Sequence, residues 1–330
     1  MIAMLASTVV GGVAPAPAPA QDRPPPLTPK QALRIVKDYD RKNARNNDTL
    51  DLEGQAMIET PPIQPLDDAT FREYEGRGKS SLNDRRKISQ RRVFVPEQAG
   101  FPLQFLASER STSPDSDPIT QLLLFVRPTE GDRWKVSMAA TIIGAPVPKL
   151  LVEDDGFARL LDADHAAGLV LPPAELPAAI SGLWSRAAAG QGGDAAPFAP
   201  GPFTTDAVAN FINVLAQMRI DGRVDFAFAP HETPQVCYRA TADGALCFFA
   251  VTVTEIVRPT GATFVQPRSR QKFGGLVVPG EYVEVRYERL AILAAVVPNT
   301  RGTALVDVVG IYDGVVSATA TPSSTPGTVV

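Results

Sequence analysis

Residues 282–297 read Tyr-Val-Glu-Val-Arg-Tyr-Glu-Arg-Leu-Ala-Ile-Leu-Ala-Ala-Val-Val, and two patterns meet in them. From Tyr282 to Arg289, Val283, Val285 and Tyr287 alternate with charged neighbours, the period of a strand with one face in water. From Leu290 to Val297 both faces are apolar, which predicts a strand crossing a core. Neighbouring segments carry the same signal. Residues 224–228, 235–240 and 246–257 precede this strand and 305–311 follow it, all rich in β-branched and aromatic residues.

Upstream, Gly201-Pro-Phe-Thr-Thr-Asp206 reads as a helix start. Thr204 is the expected cap, and Val208, Phe211, Ile212, Leu215 and Met218 mark one helical face. Within the strands, Cys237 and Cys247 flank Asp243-Gly244, a hairpin turn signal. A hairpin folded there sets the cysteines nearly opposite one another, which predicts a disulfide in an oxidising compartment. Two reduced, buried thiols are the alternative.

The first half repeats this order. Thr28 is a good N-cap, Pro29 suits the first helical position and Gln31 completes a capping box. Ala32, Ile35, Val36 and Tyr39 form one apolar stripe that runs on to Ala44. Strand-like runs follow at 55–59, 92–95, 103–108, 121–127 and 134–140, the last two joined by the turn Pro128-Thr-Glu-Gly-Asp132. The expected fold class is therefore α+β, with two domains at 27–145 and 201–316, each a leading helix packed on a curved antiparallel sheet. Between them, residues 146–200 hold three basic and seven acidic residues, one short helix candidate at 174–189 and a Gly/Ala/Pro-rich exit. They read as an acidic connector. Residues 317–330, rich in Thr, Ser, Pro and Ala, read as a disordered tail.

Residues 1–20 are uncharged and end in Ala18-Pro19-Ala20, followed by the Gln-Asp-Arg-Pro-Pro-Pro linker of 21–26. They read as an export signal cleaved after Ala20, which places the protein outside the cytoplasm or in the cell envelope. A membrane anchor is the rival reading. It needs ~20 apolar residues, and the Ala-Pro alternation makes a poor helix. A plain Ala/Pro tail is the third reading.

The net charge of -4 gives no global basic field, so nucleic acid is not an expected partner. One local basic run stands out. Residues 77–92 hold Arg77, Lys79, Arg85, Arg86, Lys87, Arg91 and Arg92 against a single acid, Asp84. These seven are candidate contacts for an anionic membrane or wall polymer, and a solvated connection is the plainer reading. Asp154, Asp155, Asp162, Asp164 and His165 are the densest acidic group, but their spacing fits no EF-hand loop, and no metal is expected. The chain has two histidines. His231 lies beside Glu232 in a loop with no nucleophile near in sequence. There is no Gly-x-Ser-x-Gly elbow, His-Glu-x-x-His pair, P-loop or Gly-x-Gly-x-x-Gly turn, so neither catalysis nor a cofactor is expected.

Three segments carry a resemblance: Tyr39-Asp-Arg-Lys-Asn-Ala-Arg-Asn46, Gly100-Phe-Pro-Leu-Gln-Phe-Leu-Ala107 and Phe198-Ala-Pro-Gly-Pro-Phe-Thr204. They resemble an uncharacterised family of secreted proteins and lipoproteins from actinobacteria. The family has no established activity. Many of its members look like lipoproteins, whereas this chain has no cysteine before Cys237. The helix-then-sheet order is also similar to cystatin-like and nuclear-transport-factor-2-like folds. The export signal and the lack of a catalytic set lead to the expectation of a non-enzymatic envelope protein that binds a protein or envelope partner. A small-ligand carrier, or an enzyme using a helix–sheet cavity, is the alternative. The sequence does not give the oligomeric state.

Overall fold

The computed structural model describes residues 27–82, 87–113, 116–142, 146–191, 194–210, 222–259, 276–277 and 282–323. The expected export signal, linker, Arg85 and Arg86 lie outside them, as do Phe211, Ile212, Leu215 and Met218 of the second helical stripe.

Helix α1 (Pro29–Thr49) starts as its capping box predicts. The Thr28 side chain accepts from the Gln31 amide at 3.3 Å, and Gln31 Oε1 accepts from the Thr28 amide at 2.8 Å. Its buried stripe is Ala32, Val36 and Tyr39. Two further helices, α2 (Leu52–Ala56) and α3 (Gln64–Gly76), stand where the sequence predicted only a strand at 55–59. The Asp51 side chain accepts from the Gly54 amide and caps α2, so residues 55–56 finish a helical turn. Of the expected strand, Glu59 alone makes a bridge, to Val136.

The strands are β1 (Lys87–Phe94), β2 (Leu103–Ser113), β3 (Ser116–Arg127), β4 (Lys135–Ile142), β5 (Gly222–Pro230), β6 (Val236–Arg239), β7 (Ala245–Pro259), β8 (Tyr282–Val297) and β9 (Asp307–Pro322). Two sheets were expected, but these strands form one antiparallel sheet. Its order is β1-β2-β3-β4-β9-β8-β7-β5, with β6 also on β7. The join is short, pairing Thr141 with Ile311 and Ile142 with Gly310. A Cβ on Gly310 would sit 2.9 Å from the Thr141 carbonyl oxygen, so only glycine allows this approach.

Beyond the join the two strands part, and residues 58–63 fill the fork. The Val136 amide donates to Ile58 O at 2.9 Å, and the Thr60 amide donates to Val136 O at 2.9 Å. The Ile63 amide donates to Ser137 O at 3.0 Å. Helix α3 continues from this wedge onto β9, where Leu66 packs 3.2 Å from the place a Gly314 Cβ would take.

Alternation along β7 and β8 assigns their side chains to two cores. Leu246, Phe248, Ala250, Leu290, Ile292 and Ala294 join one cluster with Val36, Phe105, Leu122 and Phe125. Cys247, Phe249, Val251, Ala291, Leu293 and Ala295 join another. The doubly apolar run at 290–297 is thus a strand crossing between two cores. The second cluster is closed by residues once read as a connector. The short helix α4 (Ala163–Ala166) leads to α5 (Leu176–Ala188), whose Leu176, Ile180, Leu183 and Trp184 are buried there with Phe198. The Trp184 indole donates to Phe203 O at 3.0 Å. Residues 146–200 are therefore a packed layer, because their apolar residues recur at helical spacing under an acidic exterior. The expected tail also needs correction. Residues 317–322 complete β9, and Thr319 and Ala320 pair with Arg286 and Val285 of β8. Thr and Ala beside a long partner strand take its register despite their low-complexity look.

Candidate functional site

The C-terminal half of α1 turns polar inside the protein. Asn46 and Asn47 are buried there, and Gln55 of α2 and Glu59 after it are fully buried. Asn46 Nδ2 donates to Gln55 Oε1 at 3.1 Å. Gln55 Nε2 donates to Asn43 Oδ1 at 3.0 Å and to Asp67 Oδ2 at 3.3 Å. From β9, the Tyr312 hydroxyl donates to Asp67 Oδ1. From α1, the Tyr39 hydroxyl donates to Glu59 Oε1 at 2.8 Å. These bonds converge at the fork between β4 and β9.

Glu59 and Asp67 lie within hydrogen-bond reach of each other. Two buried carboxylates that close cannot both be charged. Burial, followed by the charge of Asp67, pushes the Glu59 carboxyl well above its ordinary range. Burial also raises Asp67, while its bond from Tyr312 opposes the rise. The donors locate the shared proton. Both Asp67 oxygens already accept, from Tyr312 and Gln55, whereas Glu59 Oε2 meets no N–H or other O–H. This arrangement suits Glu59 to hold the proton and Asp67 to accept it.

A second carboxyl pair faces the sheet from the next residue of α1. Arg91 Nε of β1 donates to Asp40 Oδ2 at 2.8 Å and to Glu109 Oε1 of β2 at 2.9 Å. Glu109 is 4% exposed. Burial and then the neighbouring Asp40 raise its pKa to about 8, against the pull of Arg91. Burial also raises Asp40, against its bonds from Arg91. One guanidinium thus serves two acids, and Glu109 keeps a proton near neutral pH. Chemically, both pairs can hold and release a proton inside the fold. The space between α1 and the sheet beside them is occupied by rings: Phe105 stacks on Phe125 at 4.6 Å, with Tyr39 and Trp134 edge-on.

The structure disperses the basic run. Arg91 is drawn into the second pair. Arg77 pairs with Glu73 of its own helix, and Lys79, Lys87 and Arg92 are exposed. The cysteines behave as the hairpin signal implies: Cys237 pairs with Cys247 across β6 and β7 and the two are disulfide-bonded, with Cα atoms 4.1 Å apart. The acidic loop is held by its own contacts. Asp155 accepts from the Phe157 amide and pairs with Arg159, and Asp162 accepts from the His165 amide. No group of three or more His, Cys, Asp or Glu suited to a metal occurs among the described residues. His231 Nδ1 accepts from the Thr233 amide at 3.1 Å. Among the described residues no helix is long and apolar enough to cross a membrane.

Sequence reasoning passed over Tyr39, Asp40, Asn43, Gln55, Glu59, Asp67, Glu109 and Tyr312 as site residues. One signal was there. The stretch from Tyr39 to Asn46, quoted above for its resemblance, supplies Tyr39 and Asp40 to the two pairs and Asn43 and Asn46 to Gln55.

An uncharacterized lipoprotein of Streptomyces avermitilis is 33% identical to this chain over 119 residues, which are 36% of this chain and 32% of that protein. The match thus spans about a third of that relative's length. A solved inactive mutant of the CurK dehydratase aligns over 78% of this chain and 81% of its own, at 11% identity and a TM-score of 0.13, too low a likeness to bear on the fold. The profile of one family, described as a domain of unknown function, DUF8094, matches residues 23–320, nearly the whole of the chain, and the chain belongs to that family.

Proposed function

We propose that this is an exported, non-enzymatic protein of the cell envelope that binds a phosphate-bearing envelope surface through its basic run. The observation that carries the reading is the separation of roles within residues 77–92. Arg91 is consumed by Asp40 and Glu109, while Lys79, Lys87 and Arg92 stay exposed. Those three charges are therefore free of the interior network and open to a phosphate-bearing surface. Export is supported by the Ala18-Pro19-Ala20 signal, by the closed Cys237–Cys247 bond and by the lipoprotein name of the Streptomyces relative. A non-catalytic role is supported by the way the interior acids are spent on one another and on Tyr39, Tyr312 and Arg91.

The test is sedimentation of the purified chain with phosphatidylglycerol vesicles and, separately, with purified wall polymer. Each Lys or Arg near an anionic surface is worth about 1 kcal/mol at low salt, roughly fivefold in affinity. Lys79→Gln, Lys87→Gln and Arg92→Gln combined should therefore reduce binding by about two orders of magnitude, and salt should do the same to the parent. Binding to neither surface, or binding that the triple variant leaves unchanged, removes the proposal.

A further inference from the structure

We propose that residues 58–67 form a proton-locked wedge: a hydrogen shared between Glu59 and Asp67 holds this segment in the fork between β4 and β9, and its loss as pH rises releases the segment from the sheet. This device is independent of the envelope-binding role.

The geometry carries the argument. The wedge is tied to β4 by three backbone hydrogen bonds, at Ile58, Thr60 and Ile63, and to β9 through Asp67 and Tyr312. Glu59 and Asp67 sit at its two ends, so a second negative charge would push against both attachments. Among the described residues no cation is placed to absorb that charge. From α1, Tyr39 faces Glu59, while Asp40 turns to Arg91. From α2, neutral Gln55 faces Asp67. From α3, Asp68 lies beside Asp67 and is itself drawn to Arg72. From β9 comes Tyr312. From β4 comes Lys135, whose ammonium is committed to the Ala56 carbonyl at 2.6 Å. Among the described residues, every ionisable neighbour bonded to the pair is acidic or phenolic.

The sign follows from linkage. In the released state Glu59 regains its ordinary carboxylate pKa, near 4.5, while in the closed state it titrates well above that. Closure is therefore strongest below the ordinary value and is lost as pH rises through the raised one. In that window the opening constant grows about tenfold per pH unit for one proton.

Hydrogen exchange on the full chain, with its disulfide intact, reads this directly. After correction for intrinsic base catalysis, protection of the Thr60, Ile63 and Val136 amides should fall about tenfold per pH unit, while β7 and β8 keep theirs. Glu59→Gln imitates the protonated acid, since its carboxamide accepts from Tyr39 and donates to Asp67 at every pH. In that variant the wedge amides should become independent of pH. A flat profile in the parent, an unchanged slope in Glu59→Gln, or simultaneous loss of protection in β7 and β8 would each overturn the proposal. Should Glu59→Gln fail to fold, Tyr312→Phe provides the second arm. Removing a donor from the Asp67 anion strengthens its hold on the shared proton, so the onset should move to higher pH; an onset that stays or moves down counts against the wedge.

Discussion

Around β1–β4 the protein buries Glu59, Glu109, Asn46 and Gln55, whereas around β6–β8 it buries Phe249, Val251, Leu293 and a disulfide. The first region adds to its apolar core buried acids and the one arginine they share. The second adds a covalent bond, which does not titrate, and its acid Glu255, raised by burial, pairs with Arg289. One hydrogen-bonded sheet runs through both, so a difference in chemistry does not require a boundary in the backbone. The contrast predicts that pH should act on one end of the molecule and reductant on the other.

The largest effect should come from Arg91→Leu, which leaves Asp40 and Glu109 without their cation. Stripping one partner from a buried ionic cluster costs about 3–5 kcal/mol. That loss should be larger at pH 8 than at pH 5, where Glu109 holds its proton. The parent should show the matching trend. Glu109 titrates near 8 when folded and at 4.5 ordinarily, so the folded state holds a proton that the unfolded chain releases between those values. Stability should then fall by up to about 1.4 kcal/mol per pH unit as pH rises through that window. Urea titrations at pH 5, 6.5 and 8 measure both. An Arg91→Leu penalty that is constant with pH would break the contrast.

The next effect belongs to the other end. Replacing Cys237 and Cys247 together with Ala should cost roughly 2–3 kcal/mol, from the loop that the bond closes. The same urea titrations should find that cost equal at pH 5 and pH 8, because the bond carries no proton. A cost that varies with pH as the Arg91→Leu cost does would show the two ends to be one energetic unit.

At the join, Gly310→Ala would drive a methyl group against the Thr141 carbonyl at 2.9 Å, and backbone on both sides leaves little room to yield. Overpacking of this kind costs about 1–3 kcal/mol. Exchange protection should fall first at Thr141 and Ile142. The smallest change is Gly54→Ala, whose methyl would land on Asp51 Oδ2 and 2.6 Å from Asn46 Oδ1. Loss of the α2 cap is worth about 1 kcal/mol. Since Asn46 holds Gln55, which in turn holds Asp67, this variant should also steepen the pH dependence. A purely local penalty would separate the cap from the carboxyl network.

Much of the frame could be read in advance. The capping box of α1, the hairpin with its cysteines, and β8 at Tyr282–Val297 all rest on local chemistry, and they appear where the residues place them. Helices α2 and α3 did not announce themselves. The first has five residues and an internal glycine, and the second starts after Ile63 with no side-chain cap. The site was hidden for a different reason. Its acids are scattered along the sequence: Glu59 precedes α3, Asp67 lies in its first turn, and Glu109 stands within β2, far from both. The dense acidic group at 154–165 is visible as proximity along the chain, yet its Asp154, Asp155 and Asp162 stay at the surface. Pairing depends on the fold, and the join of β4 to β9 is set by residues separated by about half of the chain.

That join also orders events in time. A chain made from its N-terminus completes β1–β4 long before β9 exists, and closing so long a loop is the slowest kind of contact to form. Until then the outer edge of β4 would be open to any stray strand. Residues 58–63 are already at hand, and their bonds to Val136 and Ser137 occupy part of that edge from within the same half of the chain. The wedge therefore covers the Val136–Ser137 stretch of the β4 edge and leaves Thr141 and Ile142 for the distant strand.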